Sequence, residues 1–328
     1  MSWFLRKDQA ARAVPEFDRA IRLNPRDAEN YYRRGSAYGT LKEHERAVAD
    51  YSEAISRDPA YMFAWMLRGV SHLQLKRFEQ AMADLERAIA LDSRQAVAYR
   101  HRAWLWSNHR KDIDRALEDY ARAIELAPRW VEVYLERANL YLRHEMPSHA
   151  VADFAKAAEL QPKNETALFG LGRARVLTND LDGSVAALDR ALALAPRNGE
   201  FLGLRGYVQF LRKRYAEALA DSLAAVDVNP QRVASMNRAA WLLATAPFAL
   251  RDGRRAVEFA LQACEQSAWK DPDYIDTLAA AHAEARNFRE AIRFQEQAIE
   301  MITKAGGSLA GPRERLELYR RGEPYRLP

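Results

Sequence analysis

Apolar side chains recur three and four residues apart in runs of about a dozen residues, the spacing that places them on one face of a helix. The stretch YYRRGSAYGTLKEHERAVADYSEAISRDP, residues 31–59, holds two such runs and has neither the alternation of a strand nor the composition of a loop. The arrangement returns along the chain: Pro25, Pro59, Ser93, Pro128, Pro162, Pro196 and Pro230 stand 34 residues apart at every step but one, which is 35. A fixed period of this size predicts a stack of repeated helix pairs, with the proline closing each pair because it cannot continue a helix.

Small residues hold fixed places within the period. The first helix carries Gly35, Gly69, Ala103, Ala138, Gly172, Gly206, Ala240 and Ala279. The second opens with Ala47, Ala81, Ala116, Ala150, Ser184, Ala218, Ala256 and Ala291, followed seven residues on by Ala54, Ala88, Ala123, Ala157, Ala191, Ala225, Ala263 and Ala298. Seven residues are two turns, so both small residues of the second helix share a face on which a neighbouring helix can close in. Tyr31, Trp65, Tyr99 and Tyr134 in the first helix, with Tyr51, Leu85, Tyr120 and Phe154 in the second, supply the bulk between them.

These residues closely resemble the tetratricopeptide repeat family, whose pattern is an aromatic, a Leu-Gly pair and a Tyr in one helix, then Ala, Phe, Ala and Pro in the next. The resemblance implies an all-α, right-handed superhelical solenoid of antiparallel helix pairs with a concave groove, here one continuous domain. It divides the chain into a partial repeat over 1–27, full repeats over 28–61, 62–95, 96–130, 131–164, 165–198, 199–232, 233–271 and 272–305, and a capping helix with a tail over 306–328. Arg often stands where the pattern prefers Leu, and the aromatic places give way to Leu168, Leu202 and Met236. The seventh full repeat carries four extra residues between its helices and one more before the next repeat. With the closing LELYRRGEPYRLP it resembles a terminal module of bacterial tetratricopeptide proteins, in which Pro312 to Arg321 is expected to cover the last apolar face. Met1 falls where the small residue of a first helix belongs. This reading expects either sequence upstream of Met1, or a partner or second copy covering Val14, Phe17 and Ile21.

A ladder of arginines bears on function. Arg34, Arg68, Arg102, Arg137 and Arg205 hold one place in five repeats and could form a phosphate-binding stripe. The same five repeats carry Asp50, Asp84, Asp119, Asp153 and Asp221 in the second helix. The other full repeats lack both partners and have Leu171 with Ala187, Ala239 with Phe259, and Leu278 with Phe294. Joint replacement by an apolar pair predicts an Arg–Asp ion pair inside each repeat, since an arginine at a helix seam needs a partner and an apolar pair does not.

Carrying over the family's groove places gives Tyr32, Phe63, Met66, Arg100, Trp104, Asn139, Phe169, Arg173, Tyr207, Phe210, Asn237 and Trp241. Aromatic and Arg side chains are common anchors of protein interfaces, and Asn can bond the backbone of an extended peptide. The Lys and Asn set with which some family members clamp a chaperone's C-terminal carboxylate is absent, because Tyr32, Ser36, Met66 and Val70 stand at those places. Chaperone binding is therefore not expected.

Composition adds limits. At 328 residues with 48% hydrophobic and 29% charged side chains, the chain has enough apolar content to fold. The net charge of +5 arises from 50 basic and 45 acidic residues intermixed without a basic run. The single cysteine, Cys264, excludes an internal disulfide and a multi-cysteine zinc site. The chain as written has neither a signal peptide nor a membrane span, so a cytoplasmic place is expected, or a periplasmic or membrane-tethered one if the start is truncated. No phosphate loop and no zinc-protease motif occurs, and the Gly170/Gly172 pair reads as helix packing. The sequence DLDG at Asp180 lacks the ligands of a calcium loop and reads as a turn. No cofactor, metal or catalytic residue is expected.

The first reading is a non-catalytic scaffold that holds a peptide or protein in the groove. The second is the regulatory or targeting arm of a larger bacterial enzyme such as a kinase or transferase. RNA binding along the solenoid ranks third, and self-association through the uncapped first helix is a further possible contact.

Overall fold

The computed structural model describes residues 7–327. Among them lie eighteen α-helices and no strand. The chain divides into two compact units, Met1–Leu140 and Tyr141–Pro328, where the sequence led us to expect one continuous domain. Helix pairs in a repeat array pack on their neighbours, and within each unit the apolar clusters are local to one pair and the next.

Unit 1 opens with α1 (Lys7–Leu23), followed by the pairs α2 (Ala28–Thr40) and α3 (His44–Arg57), then α4 (Met62–Gln74) and α5 (Phe78–Leu91). The next pair is α6 (Ala96–Leu105) and α7 (Ile113–Leu126), after which α8 (Val131–Arg143) runs across the division. Unit 2 continues with α9 (Pro147–Leu160) and the pair α10 (Glu165–Leu177) and α11 (Leu181–Leu194). Then come α12 (Gly199–Leu211) with α13 (Tyr215–Val228), α14 (Val233–Thr245) with α15 (Gly253–Gln266), and α16 (Pro272–Glu284) with α17 (Phe288–Lys304). The last helix is α18 (Ala310–Arg320). Met1, expected at the small-residue place of a first helix, lies outside the described residues. Val14, Phe17 and Ile21 are half-buried on α1.

The period has local causes. The small residues of both helices are buried throughout. The first-helix aromatic reaches back to the turn it follows: Trp65 Nε1 donates to the Pro59 carbonyl at 3.0 Å, and the Tyr134 hydroxyl to the Pro128 carbonyl at 3.1 Å. Each ring thus satisfies a carbonyl left free beside a helix end. Between the helices of a pair the chain turns through one residue of positive φ, at Lys42, Lys76, Lys111, Glu145, Asn179, Lys213 and Arg286. None is glycine, so each turn costs on the order of 1 kcal/mol of backbone strain. This turn was invisible in the sequence for that reason.

The two irregular spacings become turns of their own. The 35-residue step is absorbed by a π turn over Trp106–Arg110, which continues α6 by one extra residue. The four added residues of the seventh repeat form the link between α14 and α15, with a 3-10 turn at Phe248–Leu250. Ala268 and Trp269, both at positive φ, take up the residue added before α16. Asp180 caps α11 by accepting from the Gly183 N–H at 2.9 Å, so the DLDG run is a helix start.

Gly170 shows how close the helices come. A Cβ there would lie 2.3 Å from Cε1 of Phe154, whose ring is 1% exposed. Gly170→Ala gains up to about 1 kcal/mol of helix propensity but forces an overpacking cost of about 1–3 kcal/mol. Net destabilisation is expected in a denaturant titration, whereas Gly39→Ala, whose Cβ would meet only the Tyr51 hydroxyl at 3.6 Å, is expected to be neutral or stabilising.

The C-terminal segment closes unit 2. α18 buries Leu316 and Tyr319, and Arg315 pairs with Asp276 of α16 at 2.9 Å. Beyond it the chain folds back: the Leu327 N–H donates to the Thr245 carbonyl at 2.9 Å, Arg326 pairs with Glu284 at 2.5 Å, and the Tyr325 ring lies 5.8 Å from Trp241.

Candidate partner-binding site

The arginine ladder is engaged within the fold. Arg34 forks onto Asp50 with Nε and Nη2 at 2.8 and 2.6 Å, and Arg68 onto Asp84 at 2.8 and 2.7 Å. Arg102 meets Asp119 at 2.8 Å through both nitrogens, and Arg205 meets Asp221 at 2.8 and 2.7 Å. The aspartates are nearly buried, at 4–6% exposure. The third guanidinium nitrogen reaches the helix of the preceding repeat: Arg34 to Asp18 at 2.6 Å, Arg68 to the Ser52 hydroxyl at 3.0 Å, Arg205 to Asp189 at 2.7 Å. Bidentate charge-assisted bonds of this kind hold both partners in place, and the pKa of Arg34 and of Arg205 is raised chiefly by its aspartate. Arg34, Arg68 and Arg205 each join three helices and Arg102 joins two, which leaves few donors for phosphate. The remaining pair, Arg137 and Asp153, is divided between the two units.

The first-helix face of unit 1 is partly core. Tyr32 and Met66 are each 7% exposed, so these two expected surface residues are packing residues instead. Tyr32 lies edge-on to Tyr61 at 5.0 Å and 6.4 Å from Phe63, and the neighbouring rings consume its surface. Phe63 at 40% and Trp104 at 37% exposure stand open. Arg100 is spent on Glu136, with Nε at 3.0 Å, and sits 5.0 Å from the Trp130 ring. Asn139 is exposed and donates to its own helix at Leu135. A cavity of about 430 Å³ lies beside Phe78, Arg100, His101 and Trp104.

His101 in this cavity is half-buried, and desolvation, aided by Arg100, lowers its pKa from 6.5 to about 4. The neutral ring is the form the fold favours. Stability is then complete above pH 6.5 and falls as pH drops from about 6.5 to about 4, because the unfolded chain takes up the proton first. His72, His282 and His44 are also lowered by burial, so His101→Gln is expected to flatten this acid arm without abolishing it, as read from unfolding free energy against pH.

In unit 2, Phe169 packs on Phe201 at 5.1 Å, and Arg173 is exposed 5.9 Å from the Phe169 ring. Tyr207 at 38% exposure, Phe210, Asn237 and Trp241 converge on a cavity of about 460 Å³. Here the structure brings together four of the expected residues.

Comparisons agree with this architecture. The family model for the tetratricopeptide repeat matches residues 4–61, 32–96, 66–129, 135–198 and 169–232, about two thirds of the chain. The chain belongs to the tetratricopeptide repeat family. Among solved structures, the Pseudomonas aeruginosa protein PilF is 18% identical, with 67% of this chain and 96% of that one covered at a TM-score of 0.52. A tetratricopeptide repeat protein from Parabacteroides merdae is 16% identical, with 89% and 98% covered at 0.49. YrrB, described as a TPR protein with an unusual peptide-binding site, is 22% identical, with 57% and 95% covered at 0.49. No curated protein matches the sequence.

The fold of this tetratricopeptide repeat protein is the all-α superhelical solenoid of its family, an interaction scaffold suited to protein or peptide partners. The unit 2 cavity also holds residues that sequence reasoning missed. Asp273 and Asp276 stand on α16 at the places that mark Phe63 and Asn237 in their own repeats, and carrying the register one repeat further would have found them. Arg238 and Tyr274 lie off that register, and Arg315 comes from α18, which has no repeat to compare with. Among the described residues no cluster of three or more His, Cys, Asp and Glu side chains could hold a metal. No helix there is long and apolar enough to cross a membrane. Cys264 is fully buried, and burial pushes its thiol up to about 12, which leaves it unreactive.

Proposed function

We propose that this chain is a non-catalytic adaptor that holds a peptide or protein segment against the faces of its first helices. The observation that carries this reading is the placement of exposed aromatic rings. Among the described residues four aromatic rings are more than a third exposed: Phe63, Trp104 and Tyr207 lie on first helices at the places carried over from the family's groove, and Phe248 lies in a turn. Exposed rings with a polar surround are typical interface anchors, and truncating one at the centre of an interface costs about 2 kcal/mol or more, roughly 30-fold in affinity. The intermixed surface charge and the engaged arginine ladder favour a protein over a nucleic acid.

Affinity capture from the native host tests the reading. Trp104→Ala and Tyr207→Ala are expected to lose a protein that the wild-type chain retains, with the helical fold intact by circular dichroism. Retention of the same proteins by both variants would contradict it.

A further inference from the structure

Residues 323–327 run back over unit 2 without regular structure and make their contacts on α14 and α16, both first helices of their pairs. The Tyr325 ring lies 5.8 Å from that of Trp241, and the Arg315 guanidinium lies 5.5 Å from each. Arg326 pairs with Glu284 at 2.5 Å and donates through Nη1 to the Ala244 carbonyl at 3.2 Å. The Leu327 N–H donates to the Thr245 carbonyl at 2.9 Å, and Leu327 packs on the apolar cluster of unit 2. Three successive residues, one aromatic, one basic and one apolar, thus have separate seats, and the seat of Tyr325 is an expected groove residue.

The seats have a chemistry of their own. Ala244 and Thr245 end α14, where the last carbonyls of a helix lack partners within it and carry partial negative charge. Glu284 has a side chain only 15% exposed, and apart from Arg326 its cation among the described residues is Arg251, at 3.8 Å. This corner of the groove therefore favours a cation, and the forked guanidinium of an arginine can bond the carboxylate and a helix-end carbonyl together.

The segment is lightly held. Tyr325, Arg326 and Leu327 are half-exposed, whereas Tyr319 of α18 is fully buried. Among the described residues one main-chain hydrogen bond, that of Leu327, ties 324–327 to α14. The turn before it is fixed separately: Gly322 sits at a φ of +70°, and the N–H groups of Gly322 and Glu323 donate to the carbonyls of Tyr319 and Leu318. The segment can lift without unwinding α18, since stretches with few buried contacts open at far lower cost than the whole fold.

We propose that this corner is a docking site for a partner segment that carries an aromatic, a basic and an apolar residue in succession, and that Tyr325, Arg326 and Leu327 occupy it in cis until the partner displaces them. This deepens the adaptor reading above and rests on it. A short tether gives the cis segment an effective concentration on the order of 1 mM or more, so it sets a threshold that a weaker ligand does not pass.

The test uses the full chain and the peptide Ac-Glu-Pro-Tyr-Arg-Leu-amide, which copies residues 323–327. The Trp241 indole is followed by nuclear magnetic resonance, with Trp241→Phe for assignment. Tyr325→Ala, which loosens the cis segment, is expected to bind the peptide saturably and about ten-fold or more tighter than the wild-type chain does. In the wild-type chain, saturating peptide is expected to strip the Leu327 amide of its protection from hydrogen exchange. A peptide with Gln in place of Arg is expected to bind the Tyr325→Ala chain about ten-fold more weakly. Equal affinity of the wild-type and Tyr325→Ala chains overturns the proposal, as does a Trp241 signal that moves in neither, or equal binding of the Arg and Gln peptides. Those outcomes leave the adaptor reading standing, because its own test rests on Trp104 and Tyr207. Should Tyr325→Ala fail to fold, Arg326→Gln takes its place in the same comparison.

Discussion

Asp84→Ala is expected to destabilise unit 1 by about 3 kcal/mol, because it leaves the Arg68 guanidinium, 18% exposed, at a helix seam without a carboxylate. Ser52 at 3.0 Å offers a neutral acceptor in its place, which does not balance the charge. The double replacement Arg68→Leu with Asp84→Ala reproduces the Leu171/Ala187 pair that unit 2 already uses, with those residues 4% and 2% exposed, and is expected to recover stability to within about 1 kcal/mol of wild type. Asp221→Ala is expected to cost less, about 1–2 kcal/mol, because Arg205 keeps Asp189 at 2.7 Å and is 26% exposed. Denaturant titrations of the four proteins check the order. Equal losses for the Asp84 single and double variants would show that the seam has no need of charge balance.

The second large effect concerns Tyr319 on α18. Its side chain is 0% exposed against the last apolar cluster, so Tyr319→Ala is expected to cost about 3–5 kcal/mol. Its hydroxyl is buried without a hydrogen-bond partner among the described residues. Tyr319→Phe removes that unpaired group and is expected to be neutral or to stabilise by about 1 kcal/mol. The opposite signs separate the ring's packing from the hydroxyl's desolvation. A Phe variant as damaged as the Ala variant would mean that the hydroxyl is bonded in solution.

The helical solenoid was legible because its determinants are local and repeated. Proline, small residue and aromatic recur at one period, and a pattern copied eight times carries its own internal control. The joint loss of arginine and aspartate in the repeat of Leu171 and Ala187 is the sequence trace of a contact sixteen residues apart. What depends on one occurrence was not legible. Arg100 looked free because its partner Glu136 lies in the next first helix, a spacing that no other repeat shares. Tyr32 looked like a surface ring because its register is right, but Tyr61 and Phe63 crowd around it. The tail's return to Thr245 and Trp241 joins residues about eighty positions apart with no periodic signal.

The account places the working surface on the first helices of the pairs, and hydrogen–deuterium exchange of the chain alone and with its captured partner tests that placement most directly. Protection on binding is expected in α4 and α6 around Phe63 and Trp104, and in α12 and α14 around Tyr207 and Trp241, with little change in α5, α7, α11 and α13. Protection confined to those second helices would contradict it.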